Sequence, residues 1–313
     1  MPERDDFPEN HMLTDKLYND KAISFSLKNK LKDYSQLIKL RLNITVVFST
    51  FIGYLLGSTG HINVTGLIVV VVGGFLTIGA ANGINQIIEK NSDKLMKRTE
   101  NRPLATNRMS VEEAVIACLI MGIAGVGMIT FYLNTMAGLL SLLSLCLYGF
   151  LYTPLKKISP INVYVGAIPG ALPTIIGYVA ASGTMGVMGW ILFLIQLIWQ
   201  FPHFYSIAWI CDEDYKRAGL KMMPIGTKKD SKAATQIVIF AAILIPVSLL
   251  PYYYGYSHII STILLVLVST AFTWQSIQLY RTLSNASAKK LMFFSFMYLP
   301  VMFLILLVDK LIS

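Results

Sequence analysis

Asn85, Glu89 and Asp93 recur at four-residue steps in the stretch NQIIEKNSD. On a helix turning 100° per residue the three fall within about 80° of one another on a single stripe, which Asn82 joins loosely. Two carboxylates and an amide oxygen so arranged are hard donors. They suit Mg²⁺, which takes one or two carboxylates and completes its octahedron with water and substrate phosphate oxygens. Lys94, Lys97, Arg98 and Arg102 follow directly, and a second cluster repeats the order, Asp212, Glu213 and Asp214 before Lys216, Arg217 and Lys221. Carboxylate, metal and Arg/Lys groups together stabilise a leaving diphosphate as charge develops on it. The bases alone would also suit a solvated loop beside a membrane. Asn85 and Glu89 are harder to assign that way, because polar groups at the edge of an apolar run are costly unless used.

The elements that must position these residues are membrane helices. Of 313 residues 55% are hydrophobic and only 14% charged, against roughly 25% charged for a soluble domain. A soluble globular protein, a disordered chain and a disulfide scaffold are thereby excluded. The net charge of +9 is diluted by apolar sequence and has no interleaved aromatics, so it signals basic loops facing anionic lipid and not nucleic acid. With about 20 apolar residues needed per span, nine spans are predicted: 42–58, 63–88, 111–132, 136–153, 161–182, 187–210, 233–254, 258–279 and 291–312. The fold class is an all-α polytopic membrane protein. Of the 26 Lys and Arg residues, 25 fall on one side of such a bundle and only Lys310 on the other. The positive-inside rule makes the basic side cytoplasmic, with the N-terminus there and the C-terminus outside.

Residues 1–40 read as a cytoplasmic extension and 41–313 as the membrane domain. The extension lacks the apolar core of a secretory signal, and Phe25–Ile38 is expected to form an amphipathic surface helix. Cys118, Cys146 and Cys211 have no metal-type spacing and are expected to be buried thiols.

The stretch NQIIEKNSDKLMKRTENRPL resembles the first signature of the UbiA-type intramembrane prenyltransferases. Its M-x-R-T-x-x-R-P-L wording is similar to that of the protohaem IX farnesyltransferases, or haem O synthases. So are the stretches from Tyr152 to Tyr178 and from Trp199 to Pro224, and KLRLN at Lys39. The resemblance runs in order over about 40 to 310. It implies a nine-helix bundle around a central cavity open to the cytoplasmic side and laterally to lipid, in the cytoplasmic (inner) membrane. The implied substrates are farnesyl diphosphate and haem B, whose vinyl group is farnesylated as water adds a hydroxyl, with Mg²⁺ as cofactor. A haem A synthase or a terminal oxidase is the implied recipient of the product.

Carried over by residue, the resemblance assigns Mg²⁺ and diphosphate to Asn85, Glu89 and Asp93, with Lys97, Arg98 and Arg102 as charge partners. Asp214, helped by Asp212, does the matching work from the second loop beside Lys216 and Arg217. Glu89 stands where many members have Asp, and Lys216 stands four residues after Asp212 where quinone-type relatives have a second acid. Tyr148 and Tyr152 would face a prenyl cation or the diphosphate, although Tyr152 also suits an interfacial aromatic belt. Lys156 is a candidate partner for diphosphate or a haem propionate. His203, the one histidine inside a span, is read either as an axial contact to haem or as a hydrogen-bond partner to a neighbouring helix. Trp199, Phe201, Phe204 and Trp209 would stack on a porphyrin or simply pack. Two other functions compete: prenylation of an aromatic quinone precursor, and cation-coupled transport. Transport would want acids near the midplane of broken helices, whereas every acid except Asp309 maps near or beyond the cytoplasmic edge.

Overall fold

The computed structural model describes residues 27–312. His11 and the first residues of the expected surface helix, Phe25 and Ser26, lie outside them. The described helices are α1 (27–37), α2 (Leu40–Gly57), α3 (Val64–Asp93), α4 (Val111–Tyr132), α5 (Thr135–Ile158), α6 (Asn162–Ser182), α7 (Val187–Ile210), the short α8 (Asp212–Arg217), α9 (Ser231–Tyr253), α10 (Ile259–Thr282) and α11 (Asn285–Ile312). Nine of them are long and apolar enough to cross a membrane, as expected. α1 exposes Leu27 and Leu31 and is tied to the bundle by Lys30–Glu113 (2.8 Å) and Arg108–Asp33 (3.0 Å) ion pairs.

Helix starts follow local chemistry. Asn63, Ser110, Asn134 and Asp230 each accept a hydrogen bond from a first-turn backbone N–H, which satisfies a donor that the helix itself leaves open. α3 continues five residues past the hydropathy edge at 88. Hydropathy ends where charge begins, but backbone hydrogen bonding does not. Its 30 residues span about 45 Å at 1.5 Å each, beyond a bilayer core of about 30 Å. The helix is thus long enough for its last turns, with Glu89 and Asp93, to stay helical beyond the apolar run.

α5 contains a wide π turn over Leu147–Tyr152. Pro154 lacks the N–H that would bond Phe150 O and its ring crowds that carbonyl, so the helix widens there. Thr153 Oγ1 donates back to Tyr148 O at 2.8 Å. In α6, Pro173 frees the carbonyl of Pro169, and Ser144 Oγ of α5 donates to it at 3.1 Å.

α2 and α6 pack backbone to backbone. A Cβ on Gly53 would stand 2.1 Å from Thr174 O, and one on Gly177 2.0 Å from Thr50 O. Only glycine allows this approach, which places α6 against the centre of the bundle.

At the end away from the basic loops, Asp309 accepts from His258 N (3.1 Å) and Ser261 Oγ at the start of α10. Lys310 Nζ donates to Leu55 O, Leu56 O and Ser58 O (3.0, 2.8 and 2.5 Å) at the end of α2. Each charge meets the helix terminus of opposite sign, so the exception to the charge rule is a helix cap. Lys310→Met is expected to lower stability by about 1.5–3 kcal/mol, the range for hydrogen bonds to a charged group, measured as loss of thermal stability in detergent. Among the cysteines only Cys118 is buried, and all three are free. Cys146 is exposed, contrary to expectation, because a thiol facing lipid needs no burial to leave water.

Candidate active site

The α3 stripe forms as the spacing predicts, and each of its groups is buried against a base. Asn85 is fully buried; its Oδ1 accepts from Lys39 Nζ at 2.6 Å and its Nδ2 donates to Thr153 Oγ1 at 3.1 Å. Glu89, 5% exposed, lies 2.8 Å from Lys156 Nζ. That contact is an ion pair off the hydrogen-bonding direction, so Glu89 Oε1 has no aligned donor. Asp93, 1% exposed, takes Arg102 Nη1 on both oxygens at 2.9 and 2.8 Å. Asn82 donates to Ile38 O (3.1 Å) and Gln86 to Gln36 O and Leu37 O (2.6 and 2.8 Å). α3 thus holds the α1–α2 corner in place.

Lys39 sits at that corner in a left-handed conformation, φ 50°, rare for a side chain other than glycine or Asn. Burial pushes its ammonium well below its ordinary value; Arg102 and Lys156 add to the effect, while Glu89 and Asp93 oppose it. The position of Lys39 was visible in KLRLN, but its role was not, because it reaches Asn85 across 46 positions. An added anion would relieve three cations held this close together. Lys39→Met is therefore expected to weaken binding of inorganic diphosphate about tenfold or more, the loss of one charged hydrogen bond, read as a rise in Kd.

The second loop meets the first around Arg98. Asp214 Oδ2 accepts from Arg98 N at 3.4 Å, and Asp214 Oδ1 takes Arg217. Burial would raise the Asp214 carboxyl, but Arg217 and the Arg98 and Lys97 backbone N–H groups hold it below its ordinary range. The Arg98 guanidinium stands 6.0 Å over the Tyr215 ring. Asp212 is buried and paired with its own Lys216 at 2.7 Å, one helical turn on. The side chains of Lys94 and Lys97 are exposed. Among the described residues no three His, Cys, Asp or Glu side chains converge on one point. Two carboxylates and an amide oxygen, one carboxylate oxygen lacking an aligned donor, fit a cation that draws its remaining ligands from water and substrate phosphate, as Mg²⁺ does.

Behind this cluster opens a cavity of about 620 Å³ lined from α2, α3, α5, α6, α7 and α11. Tyr148 and Tyr152 form the wall next to the acids, their rings 5.2 Å apart, and Lys156 Nζ stands 4.4 Å from the Tyr152 ring centre. Tyr152 is buried, not in an interfacial belt, and lies where a Cβ on Gly166 would strike it. Trp199, His203, Phe204 and Phe296 line the far side. His203 Nδ1 is 2.7 Å from Ser295 Oγ on α11, so the hydrogen bond to a neighbouring helix is present; Trp199 stacks on the imidazole at 4.8 Å. Phe201 and Trp209 belong to the packed core. The cavity opens sideways between α2 and α11, where Leu42, Ile44 and Phe296 are both lining and exposed. Gln196 and Gln200 also line it; they went unnoticed because amides in an apolar run carry no spacing signal.

An acidic and basic cluster stands at the mouth of an apolar, laterally open cavity in a bundle of membrane helices, and the chain is an intramembrane prenyltransferase: it belongs to the UbiA prenyltransferase family, whose model matches residues 46–299. It is 42% identical to the protoheme IX farnesyltransferase of Cytophaga hutchinsonii over 91% of this chain and 99% of that one. The fold is similar to a solved digeranylgeranylglyceryl phosphate synthase (TM-score 0.76, 23% identity, 91% of this chain and 100% of the other). It is also similar to a UbiA homolog from Archaeoglobus fulgidus bound to GPP and Mg²⁺ (TM-score 0.64, 15% identity, 88% and 99%).

Proposed function

We infer that the protein transfers the farnesyl group of farnesyl diphosphate to a vinyl group of haem B, water supplying a hydroxyl, to give haem O and diphosphate. The observation that carries this reading is the matched array of Asn85, Glu89 and Asp93 with Lys39, Lys156 and Arg102 beside an apolar cavity. Similarity to the Cytophaga relative supports haem as the acceptor.

Asn85, Glu89 and Asp93 would hold Mg²⁺, which when bound offsets the charge gathering on the leaving diphosphate. Lys39, Lys156, Arg102 and Arg98 bind the diphosphate oxygens and orient its bond to the allylic carbon toward the cavity. Asp214 fixes Arg98 through its backbone and, with Arg217, joins the second loop to the site. Tyr148 and Tyr152 present ring faces to the allylic cation. The apolar walls keep bulk water from that cation until it meets the vinyl group. The porphyrin enters through the opening between α2 and α11 and lies against the Trp199, His203 and Phe204 side. By the positive-inside rule the charged end faces the cytoplasm, in the cytoplasmic membrane.

The test is incubation of the purified protein with haem B, farnesyl diphosphate and Mg²⁺, with mass analysis of extracted haem. A haem carrying a hydroxyethylfarnesyl group is expected. Turnover of an aromatic acid without any prenylated haem would overturn the reading.

A further inference from the structure

Three side chains of α7, Gln196, Gln200 and His203, line the cavity at i, i+4 and i+7, on one face of the helix. Each has at least one donor hydrogen engaged elsewhere. Gln196 Nε2 donates to Gly170 O (2.8 Å), and Gln200 Nε2 to Ala167 O (3.0 Å) and Gln196 O (3.1 Å). Ser295 Oγ uses its single hydrogen on Met292 O (2.6 Å), so toward His203 it acts as acceptor. With the Ser295 hydrogen on Met292 O, Nδ1 of the imidazole carries the proton and Nε2 the lone pair. Trp199 on the face (4.8 Å) and Phe296 edge-on (5.0 Å) fix the ring. Gln196 Oε1 is buried without a partner. Gln200 Oε1 rests where a Cβ on Gly170 would stand 2.0 Å away, so the glycine leaves room for it. On this stretch of the wall α7 thus presents the acceptor atoms Gln200 Oε1 and His203 Nε2, while the polar lining residues of the other helices include Asn82, Ser144, Tyr148 and Tyr152.

A water molecule suits this pair of acceptors. Giving both hydrogens to two acceptors, it turns a lone pair outward, which is the orientation of a nucleophile. We propose that Gln200 and His203 hold the water that completes the reaction and that His203 Nε2 takes its proton. This rests on the reading above.

The steps balance as follows. The allylic C–O bond breaks with its electron pair leaving on diphosphate. The outer vinyl carbon gives its π pair to the allylic carbon, leaving a cation on the inner vinyl carbon beside the porphyrin. A lone pair of the held water forms the C–O bond, one O–H proton passes to His203 Nε2, and the imidazolium returns it to solvent as product leaves. Nothing is oxidised or reduced. Without a base and a placed water, the same cation loses a proton from the adjacent new CH₂ and becomes an alkene, lighter than the normal product by one water.

The full-length enzyme is assayed with haem B, farnesyl diphosphate and Mg²⁺ in ¹⁸O water, and product masses are read. Wild type is expected to give the hydroxylated product with one ¹⁸O. His203→Gln is expected to lower hydroxylated product about 10²-fold or more, the usual worth of a general base, with the alkene the major part of what remains. Gln200→Leu should shift the ratio the same way to a smaller extent. A His203→Gln product that stays fully hydroxylated, with weakened haem binding in a spectral titration, would overturn the proposal in favour of an axial contact. Should that variant not fold, Ser295→Ala decides: it releases the tautomer, and an alkene fraction no higher than in wild type overturns the proposal. Wild type making no prenylated haem at all would instead refute the farnesyltransferase reading itself.

Discussion

Glu89→Gln and Asp93→Asn are each expected to lower kcat by about 10²- to 10³-fold, the range for losing one group that stabilises charge in a transition state. Both carboxylates are buried on one face of α3 and each is ion-paired directly with one cation, Glu89 with Lys156 and Asp93 with Arg102. The amide keeps the shape and removes the charge. It also leaves a cation without its partner, which costs about 3–5 kcal/mol for a buried pair, so lost activity by itself does not separate chemistry from folding. Adding Lys156→Met to Glu89→Gln removes the orphaned charge. The double variant should regain thermal stability in detergent and remain inactive. Mn²⁺ binding in the presence of diphosphate, followed by electron paramagnetic resonance, should be weakened in both single amides. Either amide turning over normally with unchanged Mg²⁺ dependence would remove these carboxylates from the metal site.

The largest effect on stability is expected at the α2–α6 crossing. Gly177→Val places a side chain where even a Cβ would stand 2.0 Å from Thr50 O. That neighbour is backbone within a helix and cannot turn aside as a side chain would. Overpacking in a rigid interior costs about 1–3 kcal/mol and more where backbone must move; here α2 must separate from α6, which carries Gly166 and Gly170 at the cavity wall. About 3 kcal/mol or more of lost stability is expected, with a marked fall in detergent-soluble folded protein. Gly127→Val is the control, since the nearest atom to its Cβ is a Phe131 ring carbon at 3.9 Å. If the two variants unfold at the same temperature, the crossing is not the tight contact described.

Much of the molecule was legible in its residues because a membrane simplifies the physics. An apolar run must be a helix there, since no water is present to satisfy its backbone, so spans could be read from hydropathy. The α3 stripe followed from the fixed angle of helical residues, which places Asn85, Glu89 and Asp93 together whatever surrounds them. The predicted span ends at 88 while the helix runs on to Asp93, as the stripe requires, because hydropathy marks the edge of the apolar run and not the edge of the hydrogen-bonded helix. Lys310 looked like an exception to the charge rule and is a cap on α2, a fact that depends on where α2 ends in space.

The sequence alone determined that the chain is a membrane protein, the number of candidate spans, the helical stripe of hard donors and, through its motifs, the resemblance to a family. Each of these depends on residues near one another in the chain. Tertiary structure decided which base meets which acid, that Lys39 reaches Asn85, that Asp214 meets the backbone of Arg98, and that Ser295 meets His203 Nδ1. These contacts join positions 46, 116 and 92 residues apart. No periodicity carries that information. It arises only when close glycine contacts and proline-widened turns set how the helices cross.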